Sequence, residues 1–194
     1  MKKLCAVLAL GLAGCVSTEP VTLHAKYQPA PVSHDSRDAA DTARATVVAR
    51  HCPMILTPVQ DTRPAGENLG GFLRSDNIHA EDLSGWVQSG FMSLPQTRYQ
   101  LSTTETAGTS RLQVQLRKAY FDTVTTSRVA NIVLKLQVQD PDGKVRAQTT
   151  LRGTDVSVNW ANSESDANSG FNVALKNLLD QADGFLDHNC QAGA

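Results

Sequence analysis

The feature that most limits this chain is a long stretch of apolar–polar alternation between Leu112 and Trp160. Leu112, Val114 and Leu116 alternate with Gln113, Gln115 and Arg117, and Tyr120, Phe121 and Val124 extend the run. Ala130, Ile132, Leu134, Leu136 and Val138 give a second run. Asp140-Pro141-Asp142-Gly143 reads as a hairpin turn, and Val145 to Trp160 returns as a third strand with Gly153 at a bulge or bend. A period of two puts apolar side chains on one face and polar ones on the other. Three such strands in a meander form a one-sided sheet, which needs a second layer over its apolar face.

Two helical patterns supply that layer. The spacing of Leu83, Trp86, Val87, Phe91 and Leu94 predicts a helix over Asn77 to Leu94, capped by Asp76 or Asn77 and stopped by Pro95. Gly85 and Gly90 would let it pack closely against the sheet. Ser163-x-x-Asp166 begins a second helix whose apolar face comprises Phe171, Ala174, Leu175, Leu178, Leu179, Ala182, Phe185 and Leu186. Further strands are expected within Ala45 to Gln60 and over Tyr99 to Thr103, with a turn at Asp61-Thr62-Arg63-Pro64-Ala65-Gly66. The order predicts an α+β two-layer sandwich, a mainly antiparallel sheet with two helices packed on one face. The opposite face, rich in Gln, Lys, Thr and Arg, meets solvent or a partner.

The amino-terminal region has a different character. Lys2 and Lys3 precede the apolar run Leu4 to Leu12, which Leu12-Ala13-Gly14-Cys15 closes. This resembles the lipobox of bacterial lipoproteins. The resemblance implies cleavage after Gly14, a thioether-linked diacylglycerol on Cys15 and acylation of the new amino terminus. Val16 and Ser17 follow without an aspartate, which resembles an outer-membrane address on the periplasmic face. Residues 15–45 carry Pro20, Pro29 and Pro31 with no sustained apolar period, and read as a lipid-anchored flexible tether. Val21 and Leu23, alternating around Thr22, and the aromatic Tyr27 leave room for part of that segment to pack. The expected organisation is therefore a signal peptide over 1–14, a tether over 15–45, an α+β periplasmic domain over 46–190 and a tail over 191–194.

Charge and cysteine use narrow the function classes. The chain has 18 Lys+Arg and 19 Asp+Glu; loss of Lys2 and Lys3 leaves 16 cations and a formal charge of −3. No basic stripe suits nucleic acid. Of four cysteines, Cys5 leaves with the signal peptide and Cys15 takes lipid. Cys52 and Cys190 remain, one just before the first core strand and the other just after the last helix. Export favours a disulfide between them, the alternative being two free thiols. No CxxC or HxxxH spacing points to a metal, and no cofactor is expected.

No pattern for nucleophilic, phosphate-binding or metal-assisted catalysis is present, so a non-enzymatic protein is expected. His24, His34, His51, His79 and His188 are dispersed. Asp61-x-Arg63 reads either as a surface interaction pair or as a local strand-end turn. Trp86 and Trp160 read as core and core-rim residues rather than ligand platforms.

The lipobox, the strand ending in Asp61-x-Arg63, the strand Arg128-Val-Ala-Asn-Ile-Val-Leu-Lys-Leu, Leu151-Arg-Gly and the helix Asn172-Val-Ala-Leu-Lys-Asn-Leu-Leu together resemble the YajG-type family of small bacterial envelope lipoproteins. The resemblance spans about Val47 to Leu186 and implies location and shape, with no catalytic residues. The expected function is a lipid-anchored periplasmic domain that binds or scaffolds another envelope component. The alternative is an auxiliary lipoprotein of an ABC-type transporter, holding a hydrophobic ligand among Phe91, Phe171 and Trp160.

Overall fold

A computed structural model describes residues 21–28, 52–70, 78–95, 99–124, 127–157 and 164–190 of the chain. In order, the elements are β1 (Val21–His24), β2 (Cys52–Leu56), β3 (Gln60–Asp61), β4 (Ile78–Glu81), α1 (Leu83–Met92), β5 (Tyr99–Ser102), β6 (Ser110–Val124), β7 (Ser127–Gln139), β8 (Val145–Ser157) and α2 (Glu164–Asn189).

The alternating runs form the body of the sheet. β6, β7 and β8 pair antiparallel in sequence order, with Leu116 opposite Leu134 and Leu134 opposite Leu151. The full order is β5-β2-β6-β7-β8, with β3 also beside β6. β2 runs parallel to both β5 and β6, and β3 parallel to β6, so the sheet is mixed. One apolar set, including Leu112, Val114, Leu116, Ile132, Leu134 and Leu136, is buried to within 1% of full burial beneath the helices. The architecture is the α+β sandwich that the alternation requires.

The expected bend at Gly153 is absent. Gly153 stays in regular register opposite Ile132, and the irregularities fall instead at Leu116/Lys118 and Val138/Gln139. A methyl group on Gly153 would overlap the Ala174 carbonyl of α2. Glycine is there because the helix backbone passes directly over the strand.

α2 is 26 residues long, about 39 Å. It runs antiparallel to β8. Asn177 Nδ2 donates to the Thr154 carbonyl at 2.9 Å and Gln181 Nε2 to the Arg152 carbonyl at 2.9 Å. Arg146 Nη2 donates to the Asn189 carbonyl at 2.9 Å. The first two bonds occupy carbonyls on the outer side of an edge strand, which would otherwise invite another chain to pair.

The first helix is shorter than the expected span Asn77 to Leu94. Ile78–Glu81 is extended and pairs in parallel with Val21–His24, making a separate two-stranded sheet. Helix α1 begins only at Leu83, where the Asp82 carboxylate accepts from the Gly85 amide at 2.8 Å. The apolar period Leu83, Trp86, Val87 and Phe91 does form the buried face of α1. The expected start at Asn77 failed because residues 78–81 pair with a strand more than fifty residues upstream, in the segment read as tether. Leu23, at 1% exposure, belongs to the core. Gly90 does serve close packing, but against Leu175 and Leu179 of α2 rather than the sheet, and Gly85 sits against the capping Asp82 carboxylate.

The lipidation residue Cys15, residues 1–14 and 191–194, the expected strand at Val47 and Val48, the Ser163 cap and Trp160 lie outside the described residues.

Candidate functional site

Three arrangements of side chains concern function. The first is the face of the sheet turned away from the helices. Gln113, Gln115 and Lys118 of β6, Asn131, Lys135, Gln137 and Gln139 of β7, and Gln148, Thr150 and Arg152 of β8 occupy its register positions. Pairs of glutamines bridge the strands: Gln113 to Gln139 at 3.1 Å, Gln137 to Gln148 at 3.0 Å and Gln115 to Gln60 at 3.4 Å. Arg152 Nη2 donates to Asn131 Oδ1 at 2.6 Å and to the Tyr120 hydroxyl at 3.4 Å. The surface is polar and ordered by its own bonds, with Lys118, Gln148, Thr150 and Arg152 exposed. It can accept and donate hydrogen bonds across four strands.

The second arrangement is the Asp61–Arg63 pair. Arg63 Nε donates to Asp61 Oδ1 at 3.0 Å and Nη2 to Oδ2 at 2.7 Å, while the Arg63 amide also donates to Oδ1 at 3.1 Å. The backbone bond makes this a strand-end turn. The Arg63 side chain is 10% exposed and the Asp61 side chain 34%. Partial burial raises the Asp61 pKa, but the hydrogen bonds and charge of Arg63 outweigh it and hold the carboxyl below its ordinary value. Arg63 Nη1 is buried without a hydrogen-bond partner. The turn is local, and the guanidinium is drawn inward rather than displayed on the surface.

The third arrangement is a buried asparagine that the alternation did not single out. Asn172 Oδ1 accepts from the Trp86 indole at 3.0 Å and from the Gln28 amide at 3.2 Å, and its Nδ2 donates to the Lys26 carbonyl at 3.0 Å. One amide thus joins α2, α1 and the amino-terminal segment. Ser93 adds a bond to the Tyr27 hydroxyl at 3.3 Å. A polar residue beside Phe171 on an apolar helix face was the signal available in the sequence. Asn131, 1% exposed, gave none, because it falls in phase with the polar face.

Cys52 and Cys190 are joined by a disulfide with Cα atoms 5.7 Å apart. The bridge ties the start of β2 to the end of α2. His79 lies in β4 rather than in a helical turn, and His188 in the last turn of α2. His24 meets Glu164 at 3.3 Å and Glu81 at 3.6 Å. The His24 amide, donating to Glu164, is the main cause holding the Glu164 pKa below its ordinary value. His34 and His51 lie outside the described residues. Among the described residues, no three His, Cys, Asp or Glu side chains are grouped to hold a metal, and no helix is long and apolar enough to cross a membrane.

No protein-family model matches the chain, and no curated protein does. Solved structures do. A Xanthomonas campestris protein described under the family model DUF330 superposes with a TM-score of 0.52 at 9% identity, over 89% of this chain and 94% of its own. What the two share is the fold. A minor lipoprotein from Acinetobacter baumannii follows at a TM-score of 0.48 and 12% identity, over 74% of this chain and 96% of its own. A lipoprotein from Neisseria meningitidis gives 0.40 and 11%, over 69% and 99%.

Proposed function

We propose that this protein is a lipoprotein of the YajG type, held by Cys15 in the outer membrane, whose periplasmic domain binds another envelope component without catalysing a reaction. The address rests on Leu12-Ala13-Gly14-Cys15 after a cationic, apolar leader. The observation that carries the binding role is the polar sheet face, an ordered array of hydrogen-bonding side chains turned away from the core. A surface of this kind specifies a partner through matched hydrogen bonds, with limited apolar gain.

Two experiments test the two halves. Cys15→Ser should abolish metabolic labelling with palmitate and release the protein from the outer-membrane fraction; persistent labelling would refute the anchor. For the binding role, cross-linking in mild detergent should recover a specific partner. Lys135→Glu combined with Gln137→Ala should abolish that recovery without altering the unfolding midpoint. Equal recovery by wild type and variant would remove the sheet face as the site, and consistent failure to recover any partner would count against scaffolding.

The transport-accessory alternative draws no support from Phe91 and Phe171, two of the rings it requires; the third, Trp160, lies outside the described residues. Phe171 packs against Phe121 with centroids 4.4 Å apart and edge-on to Trp86 at 5.9 Å, and Phe91 is fully buried. Phe91 and Phe171 both belong to the buried core.

A further inference from the structure

The amino-terminal segment fixes which end of the domain the anchor feeds. His24 bonds to Glu164, the first residue of α2, and Gln28 to Asn172, two turns further on. Residues 24–28 therefore run alongside α2 in its own direction, with His24 beside the start of the helix. The same end of the molecule carries the β6–β7 connection and the end of β8, because β8 runs antiparallel to α2 and Arg128 lies opposite Ser157.

That end also presents apolar side chains to solvent. Val124 is 55% exposed and Val156 is 63% exposed. Val156 lies opposite Val129, which lies opposite Asp122, two residues before Val124, so the three valines share one face of the sheet tip. The other exposed large apolar residues among those described, Val145 and Met92, lie at the opposite end of β8 and at the end of α1.

We infer that this valine-bearing end rests on the surface of the bilayer that holds Cys15, with Val124 and Val156 in the interfacial layer. The inference rests on the lipid-anchor reading. Only residues 16–20 separate Cys15 from β1. Fully extended, the span from Cys15 to Val21 is at most about 20 Å, so the domain stays beside the membrane. Small apolar side chains at a sheet tip add interfacial attachment to an acyl anchor. Glu81, Asp122 and Glu164 offset Arg128 at this end, so it holds no basic cluster that would select an anionic over a zwitterionic lipid surface.

The test uses the full-length lipidated protein, its disulfide intact, reconstituted into phosphatidylethanolamine–phosphatidylcholine vesicles. Val124→Cys, Val156→Cys and the distal control Val145→Cys each receive a polarity-sensitive fluorophore. Nitroxide-bearing lipid headgroups should quench the labels at 124 and 156 several-fold more than the label at 145. Intact mass and vesicle flotation are measured on the same samples. If the protein is lipidated and floats, yet all three labels are quenched alike, this inference falls and the anchor stands. If it is neither lipidated nor vesicle-bound, both fall.

Discussion

At the scale of single residues, Asn172 joins three parts of the chain: α2, α1 and residues 26–28. Its amide satisfies the Trp86 indole and two backbone groups of residues 26–28. Asn172→Ala leaves a buried indole N–H without a partner, at a cost of about 1–3 kcal/mol. The expected result is a lower denaturation midpoint together with faster amide exchange at Gln28; a midpoint shift with unchanged exchange there would show that the clamp is elsewhere. Titratable groups give a signed prediction. Burial raises the Asp155 pKa despite a hydrogen bond from the Val156 amide. The resulting penalty is absent in acid, where folded and unfolded chains are both protonated, and fully present once the pH exceeds the folded value. Asp155→Asn should therefore stabilise the protein at neutral pH and lose that advantage below about pH 4. Thermal melts at the two pH values check it. Asp61 has the opposite sign: with its pKa lowered by Arg63, its contribution is present above the unfolded value and lost as the pH falls through the folded one. The pairing of Cys52 with Cys190 was legible from the export signal, the count left after Cys5 and Cys15, and their places at the two ends of the core. Arg63's inward turn was not, because nothing in Asp-x-Arg says which side of the strand end faces the core.

At the scale of elements, alternation read β6, β7 and β8 well, since each strand carries its own buried face in its own sequence. The helix α2 was equally clear, and Leu178, fully buried against the sheet, tests it: Leu178→Ala should cost about 2–5 kcal/mol by denaturant unfolding. Gly153→Ala meets the Ala174 carbonyl instead of open space and should cost about 1–3 kcal/mol, through displacement of α2. A variant as stable as wild type would mean that the helix passes farther from the strand. The short pieces were harder. β1 and β4 have four residues each and exist because they pair with each other, a relation that no local window contains. Ile78 lies five positions before Leu83, about 140° round a helix, so the apolar face itself begins at Leu83, and only the polar residues before it suggested an earlier start. Gly153 was ambiguous, since a bulge and a close helix crossing ask for the same residue.

At the scale of the whole molecule, the two-layer class followed from a one-sided sheet needing cover, and the structure keeps it. The parallel pairing of β2 was not legible, because strand direction depends on connections through residues whose sequence only marks turns. Reduction of Cys52–Cys190 is the prediction that belongs to this scale. The bridge spans 138 positions, and its removal should lower stability by up to about 5 kcal/mol in the chain-entropy model. A melting temperature unchanged by reductant would show that the two ends are held by packing alone. The same bridge orders events in time. A chain that emerges amino end first presents Cys52 early and Cys190 only after every strand and the whole of α2 have appeared. Until then Cys52 has no native partner and is open to capture by small thiols or oxidoreductases. Ring closure therefore acts as a completion mark: a molecule arrested before α2 keeps a reactive thiol, and a finished one does not.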